Sequence, residues 1–258
     1  MSVGQRTPRY ASVWLLAGLM AFAFCAHDIL VRDTDWARMM SGHPWETLAR
    51  FARPDFTLIA DLLEPALETV LMATLASFAG LVLALPVAWL GAANITPFGQ
   101  LSFVLGRSLM TVSRSVHEMV WALLFVSAVG LGALPGILAL AVRSVGFLAR
   151  TMAEAIEDVA PGPIEAIRAA GGSPFKVLLF GIVPQVLPAF IGCVIFEWDI
   201  NIRRSTILGL VGAGGLGLAL FRQMARADYA GVAAVILVVL ALILVGELIS
   251  DRARRAVI

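Results

Sequence analysis

PIEAIRAAGGSPFKVLLFGIVP, residues 163–184, is a short charged segment that leads directly into an apolar one. Its first half carries Glu165 and Arg168, and the pair Gly171-Gly172 interrupts it. Strongly apolar stretches lie on both sides of the segment. A polar amphipathic helix in that position has little to pack against unless it contacts a partner outside the bilayer. The pattern therefore indicates a docking element rather than a catalytic one.

The composition around this segment is that of a membrane protein. About 60% of the 258 residues are hydrophobic and 14% are charged, a balance that soluble globular proteins of this length do not normally show. Several uncharged runs approach or exceed the roughly 20 residues that cross a bilayer as helix. They lie at residues 10–26, 69–106, 119–142, 177–196 and 229–246. We therefore predict an all-α integral membrane protein, a helical bundle rather than a barrel.

Charge, cysteine content and the absence of catalytic motifs argue against several other classes of protein function. The net charge is +1 and the basic residues are scattered among acidic ones, so no nucleic-acid binding is expected. Cys25 and Cys193 lie in apolar runs, where buried free thiols are expected rather than a disulfide or a metal pair. The sequence contains no H-E-x-x-H and no G-x-S-x-G motif. We therefore predict neither a metal site nor a catalytic one.

The N-terminal region predicts a membrane anchor followed by a polar segment. Residues 13–26 form the expected first span, preceded by Arg6 and Arg9. An uncleaved anchor is favoured over a cleaved signal peptide, because further spans follow. Residues 27–64 mix tryptophan with many charges, a composition typical of an interfacial or extracytoplasmic loop.

The middle of the chain decides the number of spans. Residues 119–142 could form one crossing or parts of two, and we predict two helices, at residues 107–129 and 135–150. With a second span starting near residue 69, this makes about six. Both termini and residues 149–177 then lie in the cytoplasm, as the positive-inside tendency prefers, whereas a single crossing would export the C-terminal arginines. Four polar residues are thereby placed at membrane depth, where pairing or a wet pathway must offset their cost: Arg114, His117, Glu118 and Arg143.

The last third of the chain combines a proline-containing span with a glycine-rich segment. The fifth span, residues 177–196, contains Pro184 and Pro188, which predict a bent helix. Closely spaced glycines in residues 205–221 favour a re-entrant or extracytoplasmic element, with a seventh span as the alternative. Residues 212–217 satisfy G-x-G-x-x-G, but they lack the strand and helix that a dinucleotide site requires.

The opening segment itself predicts a helix, a break and a second helix. Proline suits the first turn of a helix over residues 163–170, because its missing N–H is not needed there. Gly171-Gly172 gives that helix a C-terminal stop. Ser173 is then an N-cap, with proline first in the following helix. We call residues 160–176 the elbow and expect it at the cytoplasmic surface.

The register of the elbow matches a known loop. Gly171 comes six positions after Glu165 of the pair Glu165-Ala166, and Pro184 comes thirteen positions after the glycine. The elbow therefore resembles the EAA loop in permease subunits of ABC-type importers. In that family the loop forms a coupling helix in a groove of the ATPase subunit.

Two departures from the family pattern occur within the elbow and just after it. Ile167 stands where the loop has its last alanine, and Gly181 stands where an isoleucine is usual. The resemblance implies that coupling to the ATPase involves Glu165, Ala166, Ile167, Arg168 and Gly171.

Residues 114–126 and 201–217 narrow the resemblance, because they are similar to the corresponding stretches of phosphonate importer permeases. The similarity covers about residues 60–255 and implies the type I ABC importer permease fold, in a bacterial inner membrane. It also implies transport of phosphonate or a related phosphorus oxyanion such as phosphite or a phosphate ester. A methionine-type or other small-solute permease is one alternative, and an ion-coupled secondary transporter is another.

The resemblance further implies an assembly and a division of the chain. The expected partners are a second copy, two ATPase subunits, an extracytoplasmic binding protein and membrane lipid. No Walker A motif occurs, so ATP and Mg are expected on the ATPase, and no cofactor is expected on this chain. The predicted regions are an N-terminal one at 1–64, a transmembrane domain at 65–250 and a basic cytoplasmic tail at 251–258.

Arginine-serine pairs are the candidates for an anion path. Four occur, and guanidinium groups with hydroxyls match phosphorus oxyanions through charge-assisted hydrogen bonds. The deepest pairs in the predicted topology are Arg114-Ser115 and Arg143-Ser144. The alternative is that each arginine snorkels or pairs internally, Arg114 with Glu118 for example. Four charged residues follow the fifth span and are expected to face outside: Glu197, Asp199, Arg203 and Arg204. Candidates for a gate or a binding-protein contact are Arg203, Arg204, Gly212, Gly214, Gly215 and Gly217.

Overall fold

The computed structural model describes residues 9–41 and 43–257, and every regular element in these ranges is helical, as predicted. The chain falls into two compact units, Met1–Ala52 and Arg53–Ile258. The first holds α1 to α3, at Arg9–His27, Trp36–Met40 and His43–Phe51. The second holds α4 to α12, at Ile59–Gly91, Gln100–Ser115, Glu118–Val129, Ala133–Glu157, Pro161–Ala169, Pro174–Lys176, Val183–Leu208, Gly215–Ala225 and Tyr229–Val257.

In the first unit, α1 continues into a π-helical turn, Asp28–Asp33, so the apolar helix is longer than residues 13–26. The stretch Val13–Val31 is long and apolar enough to cross a membrane. Most large apolar side chains along it are exposed, as in a helix surrounded by lipid. Cys25 is therefore a free but exposed thiol, and not a buried one as predicted. Arg6 lies outside the described residues.

In the second unit, α4 begins at Ile59, ahead of the start predicted near Thr69. Much of the region predicted as a loop is therefore helical, and residue 64, the predicted region boundary, falls inside α4. Asp55 initiates the helical segment by accepting hydrogen bonds from the amide of Thr57 at 2.9 Å and from its hydroxyl at 2.6 Å. These hydrogen bonds lower the pKa of the Asp55 carboxyl, because they stabilise its charged form.

Helices α5 and α6 are bent by 88° relative to each other at the break that contains Val116 and His117. The helix predicted over residues 107–129 is therefore not continuous. Gly130 and Gly132 separate α6 from α7, so residues 119–142 do not form one continuous helix. With the bent pair counted as one, six helical stretches in the described residues are long and apolar enough to span a membrane.

Helix α10 continues well beyond residue 196, where the fifth span was predicted to end. The helical stretch from Pro174 to Val211 contains a segment long and apolar enough to span a membrane. Four charged residues expected outside the membrane lie within this helix instead: Glu197, Asp199, Arg203 and Arg204. Glu197 and Asp199 are buried, so these residues belong to the helix packing and not to a solvated loop.

The glycine-rich segment reverses the chain between α10 and α11. The turn Gly209–Val211 is followed by Gly212, whose φ of +89° lies in the left-handed region that favours glycine. Helix α11 has only 11 residues and cannot cross a bilayer, so the seventh-span alternative is wrong. Glu68 and Thr69 of α4 accept hydrogen bonds from the first amides of α11, both at 2.9 Å, and so fix the reversal against α4.

Small residues allow the helices of the second unit to approach closely. A Cβ atom on Gly106 of α5 would lie 2.5 Å from the backbone nitrogen of Gly91 in α4. One on Gly80 would lie 2.5 Å from the Cβ atom of Ser144 in α7. Fully buried alanines line the same contacts, at positions 73, 76, 84, 88, 139, 149 and 153. Close backbone packing of this kind is what holds helices together where lipid removes the hydrophobic driving force.

Candidate functional site

The break between α5 and α6 brings polar residues to the middle of the helical bundle. His117 caps α6, because its Nδ1 accepts the amide of Met119 at 3.3 Å. This contact supports a structural role for His117 over a proton relay. Glu118 is the first residue of α6 and lies beside Arg143, which is near the middle of α7. A charged residue that far from either end of a spanning helix marks a functional site by default.

Two carboxylates and two guanidinium groups form what we call the charged cluster: Glu118, Arg143, Glu197 and Arg204. Glu118 lies 3.6 Å from Nε of Arg143 and 3.4 Å from Nε of Arg204. Arg204 also donates from Nη1 to Glu197 at 3.2 Å. The formal charges cancel, which offsets the cost of removing four ions from water. The cluster joins α6, α7 and α10.

A chain of hydrogen bonds extends the cluster to α4. The hydroxyl of Ser144 donates to Glu197 at 2.8 Å. The amide nitrogen of Asn201 donates to Ser144 and to Ser77, both at 2.9 Å. Four buried polar atoms of the region have no hydrogen-bond partner among the described residues, namely Arg143 Nη1, Glu197 Oε2, Asn201 Oδ1 and Trp121 Nε1. The network is therefore incomplete on both its donor and its acceptor side.

Beside the cluster lies an open cleft of about 620 Å³. Its lining defines what we call the arginine cleft: Met110, Thr111, Arg114, Ser115, Arg143, Arg150 and Glu154. Arg150 pairs with Glu154 at 2.6 Å. Arg114 is exposed, and the described residues provide no ion-pair partner for it. The cleft thus contains one guanidinium free of any carboxylate and one, Arg143, shared with the cluster.

The structure brings together three of the four residues predicted for an anion path. Arg114, Ser115 and Arg143 line the same cleft, whereas Ser144 is fully buried behind it and bonded to Glu197. The internal pairing suggested for Arg114 with Glu118 is not formed. Glu118 instead contacts the two arginines of the charged cluster.

The remaining two arginine-serine pairs lie elsewhere. Arg107 donates to both carboxylate oxygens of Glu157 at 2.8 Å and to the carbonyl of Gly91 at 2.9 Å. It therefore joins the ends of α4 and α7 to the middle of α5. Arg204 belongs to the charged cluster, and Ser205 is bonded to the backbone of α10.

The gate candidates divide into two groups. Arg203 pairs with Asp199 at 2.6 Å and lies 3.9 Å from Glu247 of α12. The glycines cluster in the chain reversal, where the carbonyl of Gly212 accepts the amide of Gly132 at 3.0 Å. This hydrogen bond joins the segment to the start of α7.

The elbow has the predicted helix, break and helix. Helix α8 ends at Ala169, and Gly171 follows with a φ of +77°. The amides of Gly171 and Gly172 donate to the carbonyls of Arg168 and Ile167 at 3.0 and 2.9 Å, which satisfies the end of the helix. The hydroxyl of Ser173 accepts the amide of Lys176 at 3.4 Å, the predicted N-cap.

The two faces of α8 have different contacts. Ile164 and Ile167 face the turn that leads into α10, where a Cβ atom on Gly181 would lie 3.3 Å from Ile167 Cδ1. The two departures from the family pattern are therefore in contact, a larger residue at 167 against a smaller one at 181. Glu165 and Arg168 are exposed on the other face, together with Ala166.

Sequence reasoning missed the role of Glu197 and the double contact of Glu118. A signal was present for the first, because Glu197 and Arg204 are seven residues apart and lie on one face of any helix that continues through them. Trp121, with a buried N–H and no partner in the described structure, had no sequence signal.

Comparison with known proteins identifies relatives in transport. The phosphite transport system permease protein PtxC of Stutzerimonas stutzeri is 40% identical over 223 residues, which are 86% of this chain and 81% of the relative. The phosphate-import permease protein PhnE of Mycolicibacterium smegmatis is 38% identical over 202 residues, 78% of this chain and 38% of that protein.

The fold is also that of solved transporter subunits. A chain of the MetNI methionine ABC transporter in an inward-facing conformation matches with a TM-score of 0.68 at 24% identity, over 79% of this chain and 99% of that one. A family model described as binding-protein-dependent transport system inner membrane component matches residues 80–258. The chain therefore belongs to this family of inner membrane transport components, as a multi-pass permease subunit.

Proposed function

We propose that this chain forms the transmembrane pathway for a phosphorus oxyanion in an ATP-driven importer. The observation that carries the proposal is the arginine cleft, where Arg114 and Arg143 meet beside a helix break in the middle of the bundle. Discontinuous helices at membrane depth are a common way to build transport sites. The names of the relatives, which refer to phosphite and phosphate, agree with an oxyanion as the cargo.

The chemistry of the cleft suits such a cargo. Guanidinium groups match tetrahedral oxyanions through charge-assisted hydrogen bonds. The hydroxyls of Ser115 and Thr111 also lie in the lining, where they donate to the carbonyls of Thr111 and Arg107 at 2.7 and 2.8 Å. A permease must also release what it carries, so weak contacts serve transport better than tight ones. Selectivity for the whole compound is then expected in a separate binding protein.

The outer face of α8 supports docking to an ATPase subunit. Glu165, Ala166 and Arg168 are exposed, while Ile167 packs against the protein's own chain and Gly171 shapes the end of the helix. The elbow leads through α9 and the turn Val177–Ile182 directly into α10, so that a displacement of α8 reaches the charged cluster through continuous helix. A helix held in a groove transmits force in this way.

The assembly in this proposal contains two copies of the chain with the pathway between them. Two ATPase subunits dock on the elbows and hold ATP and Mg, and this chain binds no cofactor. An extracytoplasmic binding protein delivers the cargo near Arg203, Arg204 and the glycine-rich reversal at Gly212, Gly214, Gly215 and Gly217. ATP binding closes the ATPase pair, moves the elbows together and opens the spans outward. The elbow and the basic tail at residues 251–258 lie in the cytoplasm.

Uptake measurements test the cargo. Vesicles that contain the permease, its ATPase and its binding protein should accumulate phosphite or methylphosphonate, and unlabelled methionine should not compete. Arg114→Ala should reduce uptake by about tenfold, because one good charge-assisted contact corresponds to about 1.4 kcal/mol. Arg222→Ala, an exposed arginine on α11, is the matched control. Competition by methionine would support the small-solute alternative, and uptake without any ATPase would support the ion-coupled one.

A second experiment tests the elbow. Gly171→Leu strains a backbone position with a φ of +77°, and we expect loss of ATPase association with normal membrane insertion. Gly162→Leu is the control, because a Cβ atom there has nothing within 4 Å and its φ is not in the strained region. If both variants associate with the ATPase as well as the wild type does, docking at the elbow is contradicted.

A further inference from the structure

We infer that Glu118 sets the charge selectivity of the arginine cleft, so that the cleft favours monovalent over divalent oxyanions. The inference deepens the proposed function and rests on it, since it assumes that the cleft is the anion path. It makes Glu118 a specificity-determining residue that acts through its charge, without a direct contact to the cargo.

The first observation is the position of Glu118. Its side chain is 11% exposed and lies within 4 Å of both arginines of the charged cluster. Both contacts are long for charge-assisted hydrogen bonds, and the described structure shows none to this carboxylate. Glu118 therefore acts mainly as a negative charge held between Arg143 and Arg204. Burial makes that charge effective, because little solvent is present to screen it.

The second observation is the charge balance around the cleft. The two arginines of the cluster are cancelled by Glu118 and Glu197, and Arg150 is cancelled by Glu154. Arg114 is left as the single uncompensated charge of the lining. A monovalent oxyanion neutralises this charge, whereas a divalent one leaves an excess negative charge among partly buried groups. The excess is unfavourable beside the charge of Glu118, because Glu118 and Arg143 are only 11% and 22% exposed and are partly shielded from solvent.

The third observation identifies where the cargo meets the cluster. Nη1 of Arg143 is buried and has no acceptor among the described residues, although the same side chain lines the cleft. The side chain of Arg143 is 22% exposed, so an oxyanion in the cleft would bind its exposed part and not the buried Nη1. The cargo and Glu118 would then share one guanidinium, which brings the carboxylate close enough to repel a second negative charge.

Removal of the Glu118 charge should raise the affinity of the cleft for divalent relative to monovalent oxyanions. Glu118→Gln leaves the lining with two uncompensated positive charges in place of one. The affinity ratio of divalent over monovalent oxyanion should then rise by about tenfold, the size expected for one charge pair across several ångströms at an intermediate dielectric constant.

The experiment uses the permease with its ATPase subunits in lipid nanodiscs, without binding protein, and measures anion affinity by calorimetry. The probes are methylphosphonate at alkaline pH, where it is divalent, and its monomethyl ester, which is monovalent. Glu118→Asp keeps the charge and should keep the wild-type ratio. The double variant Glu118→Gln with Arg204→Gln restores the charge balance and should return the ratio toward wild type.

Two further variants guard against misfolding and indirect effects. Arg114→Gln changes an exposed residue and should lower the ratio, because it removes the uncompensated charge. Glu247→Gln removes a carboxylate that lies outside the cleft and should leave the ratio unchanged. An unchanged ratio in Glu118→Gln together with a lowered ratio in Arg114→Gln overturns the role of Glu118 alone, whereas an unchanged ratio in both variants shows that the arginine cleft is not the anion path. If neither anion binds the wild type, the anion path itself is wrong, and this inference with it.

Discussion

The elbow and the charged cluster are both polar parts of an apolar protein, but they are held in opposite ways. The elbow is stabilised by its neighbours in sequence, through the glycine stop, the Ser173 cap and the packing of Ile167 on the turn that follows. The charged cluster joins residues far apart in sequence, for example Ser77 with Asn201. One region exposes its charges and the other buries them. The comparison shows that a charge near a membrane has different consequences depending on whether water still reaches it.

The largest effect should be the cost of losing a buried charge of the cluster, compared with an exposed charge elsewhere in the protein. Glu197→Ala leaves Arg204 with only the longer contact to Glu118, and we expect a loss of about 3–5 kcal/mol in the free energy of unfolding. Glu247→Ala removes an exposed partner of Arg203 and should cost no more than about 1 kcal/mol. Unfolding of the purified protein in detergent measures both. Similar small losses would show that the cluster is hydrated.

The effect of added side-chain volume should next distinguish the closely packed helices from the elbow. Gly106→Ala places a methyl group against the backbone of Gly91, which cannot move aside, and should cost about 1–3 kcal/mol. Gly162→Ala in the elbow meets no atom within 4 Å and should change the free energy of unfolding by less than about 0.5 kcal/mol. Thermal unfolding of the two variants provides the test. If Gly162→Ala lowered the free energy of unfolding as much as Gly106→Ala does, position 162 would have to be closely packed and not open.

A double-mutant cycle tests how Ile167 of the elbow packs against Gly181 in the turn that follows. Gly181→Ile should cost about 1–2 kcal/mol, because its side chain meets Ile167 and Ile164. Adding Ile167→Ala should recover about 1 kcal/mol of this loss, since the pair then has the sizes usual in the family. The free energies of unfolding of the single and double variants give the coupling. Additive losses would rule out direct packing of 167 on 181.

The smallest effect on stability should come from the outer face of α8. Arg168→Ala should change the free energy of unfolding by less than about 0.5 kcal/mol, because the side chain is exposed. Co-purification with the ATPase should nevertheless decrease, since this face is the proposed docking surface. Arg222→Ala should affect neither measurement. Normal co-purification of the ATPase with Arg168→Ala would show that the docking surface does not depend on this residue.

The sequence predicted the elements that depend on nearby residues. The elbow followed from proline and glycine positions and from one serine, because caps and stops are local interactions. The spans followed from runs of apolar residues, although α4 and α10 proved longer than the runs that revealed them. Length was underestimated because a helix continues through charged residues when they pair within it, as Asp199 does with Arg203 and Glu197 with Arg204. Glu197 and Asp199, expected outside the membrane, are buried for this reason.

The sequence by itself determined that this is a helical membrane protein with a polar docking elbow, since apolar run length and turn chemistry suffice for both. Only the tertiary structure decided that Arg114 and Arg143 share a cleft while Ser144 does not. It alone also gave Glu118 two arginine partners from different helices. Such pairings depend on how helices rotate and bend against one another, as α5 and α6 do. Close packing of the whole bundle sets those angles, and no local stretch of sequence specifies them.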